Sequence, residues 1–226
     1  MTRFRVTRTA TAVHIAFDDG GMNLLSSAAL RELRAVIGAV GEATLVTFSS
    51  ARPNLFAAGA DMAEMRGFSG LEAEAFARMG QELFDEIERL PMLTAALIDG
   101  DCFGGALDLA LAFDLRFATP RSRFAHPGSR IGIVTGFGGT SRWRKVLSRP
   151  AAHQLFLANR ILPAEEAEAF GLVDGVAVDF GDELQRLSAL DVTHVQLVKT
   201  LTRSAAVLSR EDLHLLATRL GAVTGR

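Results

Sequence analysis

A chain of 226 residues with 49% hydrophobic and 22% charged side chains can bury a substantial core, which excludes a disordered protein. Its net charge of −2, with Lys and Arg scattered along the chain, leaves no footprint for nucleic acid. One cysteine, Cys102, excludes an internal disulfide and suits a reducing cytoplasm. The N-terminal stretch alternates and has no continuous apolar run, so it is not read as a signal peptide. The most apolar helical stretch, around Leu107 to Phe113, is too short to span a bilayer. The length allows one large domain or a domain with a small appendage.

Phe4 and Val6, then Val13, Ile15 and Phe17, alternate with polar residues and predict two short strands joined near residues 8–11. Ser26 or Ser27 caps a helix whose apolar positions Leu30, Leu33, Ile37 and Val40 keep helical spacing, closed by Gly41. Leu45 to Phe48 reads as a buried strand and residues 49–54 as a loop. A helix is expected from about Leu71 to Leu90, stopped by Pro91, followed by a strand from Leu93 to Ile98. A glycine-rich handover leads into another helix, then Leu115 to Ala118 forms a strand.

Residues 123–140 are turn-rich, and the helix after Gly139-Thr140 carries Arg142-Trp143-Arg144-Lys145, read as one exposed face. Further helices are expected at residues 151–158 and after Pro163 at the first helical position, ending at Gly171. Residues 173–178 read as extended, and the chain from about Asp182 to Arg226 as amphipathic helix. Strands alternating with helices imply a largely parallel, right-handed α/β succession. The boundary at residue 182 divides a core, 1–181, from a helical C-terminal region, 182–226.

Two stretches carry chemistry on their residues alone. In G-D-C-F-G-G-A-L-D-L-A-L-A, residues 100–112, glycines sit where a strand hands over to a helix and Asp108 lies in the first turns of that helix. Backbone N–H groups at such a terminus suit developing negative charge, and glycine admits close approach of a carbonyl. The second stretch is Phe56-Ala57-Ala58-Gly59-Ala60-Asp61. An aspartate in an apolar helix, flanked by Leu107 and Leu109, is costly to bury without a reason, so Asp108 is singled out for function.

The chain resembles the crotonase superfamily, the enoyl-CoA hydratase/isomerase group. The matching stretches are F-A-A-G-A-D-M-A-E-M at 56–65, D-G-D-C-F-G-G-A-L-D-L-A at 99–110, F-A-H-P-G-S-R-I-G-I-V-T-G-F-G-G-T at 124–140 and L-P-A-E-E-A-E-A-F-G-L-V at 162–173. All four occur in the family's order and spacing. The resemblance implies a spiral of β-β-α turns with a helical C-terminal region, assembled as a homotrimer or hexamer. It implies a substrate carried as a coenzyme A thioester, with no other cofactor. Two backbone N–H groups form the family's oxyanion hole, and by motif position these are Ala60 and Gly105. Ala58, Asp61, Gly104 and Gly128 fall at substrate-binding positions of the same motifs.

The acid–base positions depart from the family. Hydratases of this group carry two glutamates; the first maps to Asp108, shorter in reach by about 1.5 Å, a carbon–carbon bond length. The second maps to Gly128, which has no side chain. His126, two residues earlier, is the stand-in, histidine being the residue type best suited to proton transfer near neutral pH. Asp61 is expected to cap the helix that starts at Met62, Cys102 to be a small buried side chain, and Asp114 to hold structure. The helical tail is short for the family, which keeps a carrier-protein-bound acyl thioester open as a substrate. The expected activity is acyl-thioester processing through an enolate. The alternatives are a decarboxylase or hydrolase of the same fold, or a catalytically weak thioester-binding partner protein.

Overall fold

The computed structural model describes residues 2–203 and Thr218. In chain order the elements are β1 (Phe4–Arg8), β2 (Ala12–Phe17), β3 (Leu24–Leu25), α1 (Ser27–Gly38), β4 (Leu45–Ser50), β5 (Leu55–Ala57), β6 (Gly59–Ala60), α2 (Met62–Met65), α3 (Gly70–Arg89), β7 (Leu93–Ile98), β8 (Asp101–Phe103) and α4 (Gly105–Ala110). There follow β9 (Leu115–Ala118), β10 (Arg123–Ala125), a 3-10 turn (Pro127–Ile131), α5 (Gly139–Val146), α6 (Arg149–Phe156), β11 (Leu162–Pro163), α7 (Ala164–Ala169), β12 (Gly175–Val176), α8 (Gly181–Ser188) and α9 (Val192–Arg203).

These strands form a six-stranded sheet in the order β1-β2-β4-β7-β9-β12, a four-stranded sheet β11-β10-β8-β5, and the pair β3-β6. Each turn of the chain adds one strand to each larger sheet: β4 then β5, β7 then β8, β9 then β10. This is the spiral of β-β-α turns that the resemblance implies. Pairing is parallel throughout except at β1-β2 and β10-β11.

Two apolar layers flank the main sheet. On one face, Val13, Ile15, Phe17, Val46, Phe48, Ala96 and Ile98 pack against α1, α3 and α4. Aromatic rings run through this layer, with Phe4 stacked on Phe17 at 4.6 Å and Phe48 5.7 Å from both Phe56 and Phe113. On the other face, Leu93, Ala95, Leu97 and Phe117 meet Leu187 of α8 and Val195 of α9. Strand β7 is therefore buried on both sides, which accounts for its unbroken run of buried positions.

Several local expectations shift. Ser26 caps α1 through its side chain, but the helix ends at Gly38 rather than Gly41. Ser69 and Glu72 close a reciprocal capping box, starting α3 at Gly70. Pro163 precedes α7 instead of occupying its first position, because its carbonyl side pairs with β10 opposite Arg123. Residues 123–125, expected within a turn-rich run, form a strand of the second sheet. Up to Arg203 the C-terminal region holds α8 and α9, separated at residues 189–191; the rest of that expected helix, apart from Thr218, lies outside the described residues.

The basic run after Gly139 is not one exposed face. Arg142 is buried and pairs with Asp85 and, at 3.3 Å, with Glu88, both on α3, while its Nη1 donates to the Phe137 carbonyl at 2.9 Å. Asp114 holds structure, as expected: its Oδ2 accepts from the Thr94 amide and hydroxyl, both at 2.8 Å, and from Lys199.

His14 of β2 lies between Thr47 and Ser49 of β4, at 2.7 and 3.2 Å. Burial lowers its pKa below the ordinary 6.5. The unfolded chain therefore takes up this proton first as pH falls, so stability rises with pH across this window and is complete above about 6.5. Thermal melts between pH 7 and pH 5 are expected to show a falling melting temperature, and His14→Gln to remove that part of the slope. An unchanged slope in His14→Gln would show that other groups carry it.

Candidate active site

The site begins where β6 meets α4. Gly59 has φ +104°, and a Cβ there would stand 2.6 Å from the Phe103 carbonyl oxygen and 3.0 Å from the Gly105 nitrogen. Both neighbours are backbone, so only glycine lets β6 lie this close to the start of α4. The Asp61 N–H donates to the Leu25 carbonyl in the β3-β6 ladder. Amides alternate along a strand, so the Ala60 N–H turns to the other side, toward Gly105. A Cβ on Gly105 would lie 3.3 Å from the Ala60 nitrogen, which puts the two amides side by side.

Gly104, with φ +56°, precedes α4, and its N–H is used by the Ala125 carbonyl of β10 at 2.9 Å. Gly105 is the first residue of α4, with no carbonyl behind it in the helix to take its N–H. Ala60 and Gly105 thus bring two backbone amides next to one another where β6 meets α4.

One turn along α4, Asp108 is wholly buried. Its Oδ2 accepts the hydroxyl proton of Thr135. Its Oδ1 lies 3.5 Å from His126 Nε2, and neither of these two atoms has a hydrogen-bond partner. A Cβ on Gly139, the first residue of α5, would overlap Asp108 Oδ1, so the glycine is what gives the carboxylate room. The His126 ring packs on Phe156 with centroids 4.9 Å apart.

Gly128 is explained by space as well. A Cβ there would lie 2.6 Å from the Ile133 carbonyl oxygen and 3.6 Å from His126 Cε1. The Ile133 N–H in turn donates to the Gly128 carbonyl at 2.9 Å. The loop closes across the place where a side chain at 128 would start.

These groups share one cavity of about 320 Å³, lined mainly by apolar side chains. Ala58, Ala60, Gly104, Gly105, Asp108, His126 and Gly128 all border it, together with Met62, Met65, Phe76, Thr135 and Phe137. Of the residues singled out from sequence, Asp61 stands apart. Its carboxylate accepts from the Ala63 and Glu64 amides at 2.9 and 3.1 Å, capping α2, and it does not line the cavity. Cys102 is fully buried; burial, with the nearby Asp108 and Asp101 carboxylates, pushes its thiol well above the ordinary value, so it is no nucleophile.

Thr135, Phe137 and Gly139 are the site residues that sequence reasoning passed over. They lie in the quoted stretch 124–140, but a hydroxyl 27 residues from the carboxylate it meets leaves no periodic signal. Phe137 packs edge-on to Phe76 and Phe84, against the α3 face where Gly80 has no Cβ. A larger cavity of about 500 Å³ opens at the far end of α4, but its cations Arg116, Arg142, Lys145 and Lys199 all face carboxylates. We place the chemistry in the smaller one, where buried polar atoms are left unpartnered in an apolar wall.

Known proteins share this architecture. A crotonyl-CoA hydratase from Syntrophomonas wolfei is 31% identical over 190 residues, spanning 82% of this chain and 73% of that protein. A short-chain-enoyl-CoA hydratase from Clostridium acetobutylicum is 34% identical over 158 residues, 69% of this chain and 60% of its own length. Among solved structures, an enoyl-CoA hydratase from Thermoplasma volcanium superposes with a TM-score of 0.89 at 24% identity, covering 100% of this chain and 93% of that one. One from Bacillus anthracis gives 0.87 at 25% identity, covering 99% and 92%. The sequence profile of the enoyl-CoA hydratase/isomerase family matches residues 7–210, and the chain belongs to that family.

Proposed function

We propose that this chain processes an acyl-CoA thioester through an enolate. The Ala60 and Gly105 amides hold the thioester oxygen, and the Asp108–His126 pair moves the proton. The observation that carries the reading is the meeting of three things in one apolar cavity: two neighbouring backbone amides, a wholly buried carboxylate and a histidine 3.5 Å from it. Two preorganised donors stabilise charge that develops on a carbonyl oxygen, and removing one such donor typically costs about 2.7–4 kcal/mol. The names of the curated relatives support reversible addition of water to a short 2-enoyl thioester, a lyase reaction, in preference to double-bond isomerisation. Coenzyme A is then part of the substrate, and no separate cofactor enters the reaction. The same reading includes a cytoplasmic homotrimer or hexamer; among the described residues no helix is long and apolar enough to cross a membrane.

A second reading has its own support. Gly128 supplies no second carboxylate, and the Ile133 carbonyl fills the start of that position. Decarboxylation of a malonyl-type thioester needs no base for the bond that breaks, only an oxyanion hole and one proton donor for the resulting enolate.

Incubation with crotonyl-CoA, methylmalonyl-CoA and acetoacetyl-CoA, followed by mass spectrometry, separates these readings. A product heavier than crotonyl-CoA by one water is expected. Loss of carbon dioxide from methylmalonyl-CoA alone would favour the second reading, and no product from any of the three, with the thioesters still bound, would overturn both.

The close approach at β6 gives a second test. Gly59→Ala forces a Cβ onto the Phe103 carbonyl and pushes the two amides apart. Turnover is expected to fall by about 10²-fold or more, with a lower melting temperature. Full turnover in that variant would show that the amide pair is not the oxyanion site.

A further inference from the structure

The proposed reaction needs one group to touch the substrate proton, and the buried pair offers two. Asp108 borders the cavity but has no solvent-exposed side-chain surface; Oδ2 is taken by Thr135, and Oδ1 is buried beside His126 Nε2. His126 keeps some exposure and lines the cavity, its ring packed at a tilt of 33° against Phe156. Its Cε1 lies 3.6 Å from where a Cβ on Gly128 would stand, a place bordered by the Ile133 carbonyl and not by a side chain of residue 128.

We propose that His126 is the residue that exchanges a proton with substrate, and that Asp108 and Thr135 are positioning residues acting through it. The inference rests on the enolate reading above. With Nε2–H directed at Asp108 Oδ1, the other ring nitrogen, Nδ1, carries the lone pair and serves as the base. The 3.5 Å separation is long for a hydrogen bond, as such bonds often are before substrate closes the site.

In the step, Nδ1 takes the proton from the carbon next to the thioester carbonyl. That C–H bond breaks, and its electron pair forms the enolate, whose oxygen rests on the Ala60 and Gly105 amides. The imidazolium is balanced by Asp108, as in other carboxylate–histidine pairs. Thr135 keeps Oδ2 occupied, so that Oδ1 alone faces the ring. The glycine at 128 puts no side chain against the histidine edge, and the Ile133 carbonyl takes the place where one would start.

The test is hydrogen exchange at C2 of butanoyl-CoA in D₂O, which needs an enolate but neither hydration nor decarboxylation. The wild-type protein is expected to exchange. His126→Gln is expected to lose about 10²-fold or more in rate, and imidazole added to His126→Ala to restore part of it. Thr135→Val is expected to lower the saturated rate about tenfold with half-saturation unchanged, and Thr135→Ser to recover most of the loss. Circular dichroism melts establish that each variant is folded, and the imidazole rescue serves if His126→Gln is not.

Wild-type exchange that survives in His126→Gln and disappears in Asp108→Asn would overturn the assignment and make Asp108 the base. A wild-type rate in Thr135→Val would remove Thr135 from the unit. Butanoyl-CoA that binds to the wild-type protein without any exchange would overturn the enolate reading itself, and the assignment with it.

Discussion

The site depends on one close backbone contact, that of β6 with the first turn of α4. Where two main-chain segments pass at the distance that Gly59 permits, two amides that belong to different turns of the spiral come to lie next to one another. Neither amide is held by a flexible side chain. One is fixed by the β3-β6 ladder and the other by α4, whose start is tied to β10 through Gly104. Donors fixed in this way do not have to reorganise when charge develops, which is the source of their effect on a reaction. The phenylalanine-rich core serves the same contact, because Phe48 packs on Phe56 of β5 and on Phe113, which follows α4.

Beside this backbone device stands a side-chain one that is expensive to keep. A carboxylate and an imidazole in an apolar wall must be paired or they destabilise the fold. Thr135 and His126 face the two oxygens of Asp108 from the loop and the strand end, and Gly139 leaves the room that the carboxylate occupies. The loop that carries Thr135 has little regular structure, so its position has to come from elsewhere. Arg142 supplies part of it, joining the Phe137 carbonyl to Asp85 and Glu88 on α3. The Gly128–Ile133 backbone bond supplies another part. Buried polar contacts of this kind fix one arrangement of a loop that hydrophobic packing alone would leave loose.

The longer elements were legible in the chain because each carries its own period. Leu30, Leu33 and Ile37 mark α1, and the six apolar or small residues of β7 mark a strand buried on both faces. The helix from about Leu71 was expected, whereas the Ser69–Glu72 capping box that starts it at Gly70 was not read from the chain. The two-residue strands β3 and β6, and the short β5, β8 and β10, were not legible. Pieces of two or three residues have no period, and they exist only because a distant strand supplies the ladder partner. Arg142 misled for a similar reason. A basic residue within a basic run reads as solvated until α3 brings two carboxylates to it.

The sequence by itself determined the fold class, the glycine-marked start of α4, and the presence of a carboxylate within an otherwise apolar helix. These are local properties of backbone conformation and burial cost, carried by neighbours in the chain. The approach of Ala60 to Gly105, the contact of Thr135 with Asp108, and the closure of the loop over Gly128 were decided only by the tertiary structure. Each joins segments whose meeting depends on how successive turns of the spiral stack. That stacking follows from packing across the whole core and leaves no mark in any single stretch of residues.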